Sequence, residues 1–353
     1  MNMITALLPE HYVNFPGMTP QDAVKFLYQH FLGPGHLVSD EAAAADRLRS
    51  EWNEIHADAA APLSTPLGNG LCRLHLRPCK ALGLSADTVA RLFFLTAQKF
   101  VPDPSAFRHA LDEIRSLPFS QEEAEEYLTH YRAQGCPMVS HSEAFRTRYS
   151  PSYRIVSEYY VNIIPVLAAI DRAKGDAPQL RVAIDGPCAS GKSTLGRALA
   201  DIYDCPLIHM DDFFLRPEQR TPERLAQPGG NVDYERFARE VLSPLLVGAE
   251  LCYRPWNCQR QDFDPAVALP PAPLTIVEGS YSLREDLRHA YSLRIWAHAD
   301  WNSRKKRLLD RGGEACLTRF EQLWIPLEDH YFEEMQVRDC CHLSINLSDK
   351  TTL

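Results

Sequence analysis

The chain has 353 residues, of which 45% are hydrophobic and 24% charged, a composition typical of a soluble protein long enough for two domains. A formal net charge of −9 and a pI near 5.8 argue against a general nucleic-acid-binding protein, which needs a basic excess to neutralise phosphates. The sequence has neither a long apolar run nor a signal peptide, so we expect a cytoplasmic protein with no membrane partner.

Helical patterns predominate in the first part of the chain. The first helix begins with Thr19 as its N-cap and Pro20 at its first position, and it ends at the breaker Gly33-Pro34-Gly35. Further helices are predicted over residues 39–52, 85–99, 104–116, 121–134 and 151–173. We therefore predict a mainly helical domain over residues 1–173, and the sequence does not indicate its role.

One short strand interrupts these helices. After a tight turn at Gly68-Asn69-Gly70, residues 71–77 alternate and place Arg73, His75 and Arg77 on one face. Such a cationic face can bind an anion, but it is more often simply solvated, and we favour the solvated face.

The cysteines suggest no disulfide framework. Ten are scattered along the chain without paired spacing, as is typical of reduced thiols. The group Cys72, His75 and Cys79 and the pair Cys340-Cys341 are the groupings that suggest a metal. Neither has zinc-finger spacing with a matching second half, so we favour buried or incidental thiols.

A parallel sheet is predicted in the second part of the chain. Residues 174–178 have the composition of a linker. After them, apolar runs alternate with helical patterns, which indicates an α/β sheet covered by helices on both faces, in a domain over residues 179–353. The predicted strands cover residues 182–184, 207–210, 274–277, 293–297 and 342–345. Ligands of such sheets bind at the carboxyl ends of the strands.

The first of these strands leads into a phosphate-binding motif. Gly186 to Ser193 have the spacing G-x-x-x-x-G-K-[ST], and a helical pattern follows. Glycines at both ends allow backbone N–H groups and the N-terminus of the helix to point at phosphate oxygens. Lys192 would reach the β- and γ-phosphates, and Ser193 would bind Mg²⁺. The candidate nucleotide-binding residues are Gly186, Cys188, Ala189, Ser190, Gly191, Lys192, Ser193 and Thr194.

Carboxylates follow the next two strands. Asp211 lies where a carboxylate can accept the proton of an attacking hydroxyl or help to hold Mg²⁺. Its neighbour Asp212 suits a helix N-cap. Glu278 ends the third strand and is the other predicted Mg²⁺ ligand, because a carboxylate is costly to bury unless a cation or water is near. The histidines His209, His298 and His330 are interpreted as structural.

A cationic helix follows the fourth strand. Arg304, Arg307 and Arg311 are spaced three and four apart and therefore share one face. In an otherwise acidic protein, this face can close over phosphates and neutralise charge on the transferred group. We predict that Arg304 and Arg307 are catalytic and that Arg311 contacts the nucleotide, whereas Lys305 and Lys306 are expected to face solvent.

The order of these motifs resembles the uridine kinase and phosphoribulokinase group of P-loop kinases, over residues 179–347. The features that carry the resemblance are the phosphate-binding motif, Asp211–Phe214, Asn231–Tyr234, Val277–Gly279 and the arginine-rich helix. It implies a P-loop NTPase fold and ATP–Mg²⁺-dependent phosphorylation of a hydroxyl on a small metabolite, typically the 5′-hydroxyl of a nucleoside. It further implies that Asp211 is the catalytic base and that Asp233 binds ribose hydroxyls.

The acceptor side departs from that family. Uridine kinases carry a tyrosine-aspartate-phenylalanine segment and a nearby histidine that grip the base, whereas here Tyr253 opens a different segment. In it, Trp256 could stack on a planar ring. Asn257, Gln259 and Arg260 could read its edge or a second anionic group. The acceptor therefore stays open between a nucleoside, a pentose phosphate and another ribosyl compound.

Two functions are compatible with these residues. One is a small-molecule kinase whose partners are ATP, Mg²⁺ and a small acceptor, with a homo-oligomer compatible with the sequence. The other is a switch in which ATP binding reorganises the N-terminal domain to engage a partner protein. The unexplained helical half of the chain favours the switch. Asp211, Asp233 and Trp256 favour the kinase, because a switch needs no acceptor site.

Overall fold

A computed structural model describes residues 4–35, 40–176 and 179–348. It contains two compact units, the first extending to Ile164 and the second beginning at Pro165. The roles and limits of the predicted domains, residues 1–173 and 179–353, stay a prediction. Among the described residues, no helix is both long enough and apolar enough to cross a bilayer.

The first unit consists of helices around a small antiparallel sheet. The sheet has the order β1-β2-β3, with β2 in the middle. Its helices are α1 Ile4–Asn14, α2 Pro20–Leu32, α3 Glu41–Glu54, α4 Leu76–Ala81, α5 Ala86–Lys99, α6 Pro104–Ala110, α7 Gln121–Ala133, α8 Glu143–Tyr149 and α9 Glu158–Asn162, with a 3-10 helix over Leu111–Ser116. Its strands are β1 Ser64–Gly68, β2 Leu71–His75 and β3 Tyr153–Ser157.

The capping signals position several of these helices. The predicted start of α2 is confirmed, since Thr19 and Asp22 form a reciprocal capping box. Helix α3 begins after Asp40, whose side chain accepts from the Ala42 N–H at 2.9 Å, while the predicted start at Ser39 lies outside the described residues.

Two predictions in this part of the chain are wrong. The predicted helix over residues 151–173 begins instead as strand β3, because Ile155 and Val156 are β-branched and are buried in antiparallel pairing with β2. Only after Ser157, which caps α9, does the chain become helical. Residues 174–176 of the predicted linker continue helix α10, and residues 177–178 lie outside the described residues.

The second unit contains the predicted parallel sheet. Its five strands have the order β12-β11-β4-β10-β5 and all pair in parallel. The strands of this unit are β4 Leu180–Asp185, β5 Leu207–His209, β6 Leu251–Tyr253, β7 Trp256–Asn257, β8 Asp262–Phe263, β9 Val267–Leu269, β10 Leu274–Glu278, β11 Leu293–His298 and β12 Leu343–Asn346. Each of the five predicted strands is present, and the predicted α/β class, a parallel sheet flanked by helices, is confirmed.

Helices flank this sheet and complete the unit. They are α10 Ile164–Asp176, α11 Lys192–Tyr203, α12 Pro222–Leu225, α13 Tyr234–Phe237, α14 Ser243–Val247, α15 Trp301–Arg319 and α16 Ile325–Glu334, with 3-10 helices over Met210–Phe213, Pro217–Gln219 and Arg288–Ala290 and π-helices over Ala238–Leu242 and Phe320–Trp324. The central strands β4 and β10 are buried along nearly their whole length, as expected for a sheet covered on both faces. The carboxyl ends of β4, β5 and β10 therefore meet at one edge.

Candidate functional site

The loop between β4 and α11 depends on its glycines. Gly186 has a φ of +149°, and a Cβ atom there would lie 1.9 Å from the carbonyl oxygen of Ala297 on β11. Gly191 has a φ of +103° and is the N-cap of α11. Both positions exclude a side chain, one by close approach and the other by backbone conformation. The loop consequently ends with the free N–H groups of a helix N-terminus, which favour anions.

The two polar residues that follow are held beside the loop. The ammonium group of Lys192 is buried and donates to the Pro187 carbonyl at 2.9 Å. The Ser193 hydroxyl donates to an oxygen of Glu278 at 3.2 Å. Thr194 is half-buried in the first turn of α11. The predicted lysine and hydroxyl of the motif thus lie at the edge of the sheet where β10 ends.

Glu278 links three elements of the site. It is 3% exposed, pairs in register with His209, and accepts from the His209 Nδ1 at 2.5 Å. This carboxylate raises the pKa of the His209 imidazole, through the hydrogen bond first. Our interpretation of His209 as an ordinary structural residue was therefore incomplete, because it orients a predicted metal ligand.

Asp211 lies on the open side of the same edge. Its side chain is exposed, yet the protein around its carboxyl group raises its pKa to about 6, mainly by desolvation and then by repulsion from Glu278. Lys192 opposes this shift, so the lysine and both acids influence one another electrostatically. A carboxyl group with this pKa is largely ionised at neutral pH and can accept a proton.

Asp212 has a different position from the one we expected. It lies inside the 3-10 helix Met210–Phe213, whose N-cap is His209, so its prediction as an N-cap is wrong. Its carboxylate accepts from the Tyr253 hydroxyl at 3.3 Å. Asp212 therefore contacts the acceptor segment, whereas the neighbours that influence the pKa of Asp211 include Glu278 and Lys192.

The arginines of α15 contact the loop from its carbonyl side. Arg304 donates to the Cys188 carbonyl at 2.8 Å, and Arg307 donates to the carbonyls of Ala189 and Ser190 at 3.0 and 2.9 Å. Arg311 is exposed, one residue before a break in helical geometry at Gly312 and Gly313. Arg304 and Arg307 are thus brought to the loop, whereas Arg311 lies at the break and is exposed.

Two further acids accept hydrogen bonds from the loop, and the sequence motifs did not identify them. Asp185, at the end of β4, is fully buried and accepts from the Gly186 N–H at 2.7 Å and the Tyr331 hydroxyl at 2.8 Å. Burial raises its pKa to about 6. Glu328 on α16 is also buried and accepts from the Cys188 N–H at 2.8 Å and the Ser280 hydroxyl at 2.7 Å.

Their sequence signals differ. Asp185 directly precedes the first glycine of the motif, so an acid at a strand end was available as a signal. Glu328 lies 140 residues from Cys188 in sequence, within an ordinary amphipathic helix. No pattern in the sequence links the two.

Asp233, the predicted ribose-binding residue, is engaged in hydrogen bonds within the protein. Asp233 is buried, where it caps α13 by accepting from the Arg236 N–H at 2.9 Å and accepts from the Gln219 amide at 2.8 Å. Both carboxylate oxygens therefore have protein partners, and a contact with ribose hydroxyls would require one of them to change. The guanidinium of Arg236 lies 4.3 Å from the centre of the Phe213 ring.

The aromatic segment packs beside Asp211. Strand β7 packs against the 3-10 helix that contains Asp211, and Tyr253 is buried against Phe213 with ring centres 5.1 Å apart. Trp256 is 8% exposed and packs edge-on against Phe263, while its indole N–H is buried without a partner among the described residues.

The polar residues of the same hairpin serve its turn. Arg260 pairs with Asp264, and Asn257 accepts from the N–H groups of Gln259 and Arg260, both at 3.1 Å. These side chains are engaged within the hairpin. Their predicted roles in reading an acceptor stay a prediction.

The predicted metal ligands suit Mg²⁺ only together with phosphate. Among the described residues, no group of three or more His, Cys, Asp or Glu side chains forms a metal site by itself. Ser193 and Glu278 are in contact, and Asp211 is their electrostatic neighbour. One hydroxyl and one or two carboxylates, completed by phosphate and water oxygens, form the kind of donor set that Mg²⁺ takes. Cys72 and Cys79, in contrast, are buried thiols whose pKa burial raises to about 12.

Comparisons with known proteins show similarity only at the level of solved structures. No protein-family model matches the sequence, and no curated protein is similar to it. A "Possible Uridine Kinase" from Bacillus stearothermophilus is 18% identical, with a TM-score of 0.38, over 50% of this chain and 96% of its own. A candidate fructose transport system kinase from Silicibacter sp. TM1040 is 22% identical, with a TM-score of 0.39, over 47% and 89%.

A third solved structure is similar over about the same share of this chain. A shikimate kinase from Bacteroides thetaiotaomicron is 14% identical, with a TM-score of 0.25, over 48% of this chain and 86% of its own. Because all three identities are under 25% and all three TM-scores under 0.5, these similarities carry no weight for activity. Function has to be inferred from the residues of the site.

Proposed function

We propose that the second unit is a kinase of the uridine kinase type, which transfers the γ-phosphoryl group of ATP to a hydroxyl of a small metabolite. A nucleoside is the first acceptor class, with a pentose phosphate or another ribosyl compound as the alternatives. The observation that carries the proposal is the meeting of a glycine-framed anion loop with Asp211 at one sheet edge. A loop that only binds nucleotide does not need a carboxyl group of raised pKa beside its lysine.

The nucleotide side follows from the loop. The N–H groups of Gly186, Cys188 and Ser190 already have partners within the protein, so those at the N-terminus of α11 would hold the phosphates. Lys192 would exchange its bond to the Pro187 carbonyl for phosphate oxygens. Ser193 and Glu278 would hold Mg²⁺, which would neutralise negative charge on the phosphates. His209 keeps the Glu278 carboxylate oriented by its hydrogen bond.

The chemistry on the acceptor side is assigned to Asp211. As a carboxylate, it would accept the proton of the attacking hydroxyl while that oxygen bonds to the γ-phosphorus and the bond from this phosphorus to the β,γ-bridging oxygen breaks, which releases ADP. Arg304 and Arg307 already lie against the loop, and a change of partner from carbonyl to phosphate would bring positive charge onto the transferred group. Positioning and charge account for most catalysis in phosphoryl transfer.

Product analysis on the full chain tests the proposal. Purified protein is incubated with ATP and Mg²⁺ and a panel of nucleosides, pentose phosphates and other ribosyl compounds, and phosphorylated products are identified by mass spectrometry. We expect one compound class to gain a single phosphoryl group, with loss of activity in EDTA and recovery on adding Mg²⁺. Slow ATP hydrolysis that no acceptor stimulates, together with nucleotide-dependent capture of a protein partner, would favour the switch instead.

A further inference from the structure

A buried cation lies at the centre of the first unit and takes no part in the proposed kinase. Arg73 is on the middle strand β2 and is only 2% exposed, so our expectation that this face is solvated is wrong for Arg73. Its Nε donates to the Gln29 side-chain oxygen at 2.9 Å, and one terminal nitrogen donates to His11 Nε2 at 3.1 Å. The other terminal nitrogen is buried without a hydrogen-bond partner among the described residues.

The nearby carboxylate does not neutralise this cation by direct contact. Asp22 is fully buried, and its two oxygens accept from His141 Nδ1 at 2.9 Å, from the Ser142 hydroxyl at 2.6 Å and N–H at 3.0 Å, and from the Thr19 N–H at 3.0 Å and hydroxyl at 2.9 Å. Five donors leave it no capacity for a guanidinium. Within the described ranges, no carboxylate forms an ion pair with Arg73.

The histidines around Arg73 are neutral. Burial, followed by repulsion from Arg73, lowers the pKa of His11 to about 2 and that of His75 to about 4. Neutral histidines can accept hydrogen bonds but cannot offset a positive charge. Burying a guanidinium that has an unpaired N–H and only neutral acceptors costs free energy, unless an anion pairs with it.

A cavity of about 230 Å³ lies at this position. Two arginines, Arg73 and Arg77, and one carboxylate, Asp58, line it together with the polar His75 and Thr65, and Phe15, Phe145 and Tyr149 contribute aromatic surface. Aromatic surface combined with a few polar and charged groups is the usual form of a small-molecule site, and the two arginines outnumber the one carboxylate here. The volume admits a compact molecule rather than a nucleotide.

We propose that this cavity binds a small organic anion, with its carboxylate or phosphate group paired to Arg73 and its apolar body packed against the aromatic wall. Arg73 lines the cavity, and its buried terminal nitrogen without a partner among the described residues is the donor that we assign to the anion. The guanidinium is planar, and Gln29 already holds its Nε. It therefore favours carboxylates and phosphates, whose two oxygens can lie in the guanidinium plane. The site is independent of the kinase proposal.

Tyr153 makes this cavity rigid. Its hydroxyl donates to His141 Nε2 at 2.6 Å and accepts from the Gln29 amide at 3.0 Å, and the Arg73 guanidinium carbon lies 4.9 Å from its ring centre. Because Asp22 fixes His141, which fixes Tyr153, the ring is held in place before any ligand arrives. Binding therefore does not need to order these side chains, which lowers its entropic cost.

Calorimetric titration of the full chain with two probes tests the proposal. Benzoate represents a carboxylate on an apolar body, and phenyl phosphate represents a phosphate monoester on the same body. We expect saturable binding of at least one probe, and the stronger of the two identifies the anion that the site takes. Arg73→Lys keeps the positive charge but loses the planar guanidinium, which can donate two parallel hydrogen bonds. It should weaken binding at least tenfold.

A second variant separates binding from folding. Ala61→Trp fills the cavity from its loop side and leaves Arg73 and its partners intact, so it should abolish binding at the site even if Arg73→Lys does not fold. Arg108→Lys, an exposed arginine of the same unit, is the matched control and should bind like the wild type. The proposal is overturned if neither probe binds the wild-type chain, or if the affinity is the same in the wild type and Ala61→Trp.

Discussion

Both units bury hydrogen-bonded carboxylates, but the first unit also buries a guanidinium beside a cavity. In the second unit, the buried carboxylates of Asp185, Glu278 and Glu328 all accept hydrogen bonds from backbone N–H groups or side chains near the phosphate loop. In the first unit, the central charge is the cation Arg73, and one of its nitrogens has no partner among the described residues. The hydrogen-bonded acids fix the loop, whereas the unpartnered nitrogen of Arg73 is the basis of the proposed anion site.

The difference also separates two kinds of binding site. At the loop between β4 and α11, the N-terminus of a helix and Lys192 are the proposed phosphate-binding groups, and Asp185 and Glu328 fix the backbone. At Arg73, a side chain is the proposed binding group, and Asp22, His141 and Tyr153 fix other side chains. The predictions below test each half of this comparison.

The largest effect is expected at the lysine of the phosphate loop. Lys192→Ala should reduce kcat/KM for phosphoryl transfer by about 10³-fold, because the buried ammonium is the loop's own positive charge for the phosphates. Steady-state kinetics with the best acceptor measures this. Lys305→Ala, an exposed lysine on α15, is the control and should change the rate by less than about twofold. An equal loss of kcat/KM in the two variants would contradict the assignment of Lys192 to the phosphates.

Asp22 should give the largest effect in the first unit. Asp22→Asn should lower the free energy of unfolding by about 3 kcal/mol in urea denaturation, since five donors face its charged group. Burial alone would raise the pKa of Asp22, but these hydrogen bonds hold it well below its usual value, so the stabilisation is present above about pH 4 and is lost as the pH falls further. Asp46→Asn, at an exposed acid on α3, serves as the control. A deficit that did not shrink below pH 4 would argue against this origin.

Glu328 tests whether the missed acids hold the loop. Glu328→Ala removes the partner of the buried Cys188 N–H and should lower the free energy of unfolding by about 2 kcal/mol. Thermal and urea unfolding measure this, with the exposed neighbour Asp329→Ala as the matched control. A loss no larger than that of the control would mean that the contact contributes nothing.

The smallest expected effect is the change of kcat/KM with pH. Because the pKa of Asp211 is raised to about 6, the base is protonated and inactive below this value. We expect kcat/KM to rise about fivefold from pH 5 to pH 6 and to level off above pH 7. A profile that is flat between pH 5 and pH 7 would exclude a base with this pKa.

The sequence predicted the second unit well because its signals are local. A strand, a glycine-framed loop and a helix follow one another without a break. The spacing of the motif is therefore enough to place Gly186 in the loop and Lys192 and Ser193 in the first turn of the helix. The five strands are recognisable as short apolar runs. Glu328 and its bond to Cys188 could not be found in this way, because the contact joins residues 140 positions apart.

The first unit was less predictable because its polar residues depend on long-range packing. Arg73 alternates with apolar neighbours just as a solvated residue would, and only the pairing of β2 with β3 buries it. The aromatic spacing from Tyr153 onward fits a helix, yet pairing with β2 makes the first five residues a strand. Tertiary contacts override local preference most readily in such short β segments.

The central claim is that Asp211 takes the proton while the loop holds the nucleotide, and one variant separates these two roles. In Asp211→Asn, ATP affinity and transfer to the best acceptor are measured on the same sample, with Asp212→Asn as the matched neighbour. We predict an ATP dissociation constant within about threefold of the wild type and a kcat lowered at least about 100-fold. A variant that binds ATP normally and keeps nearly full transfer would contradict the account.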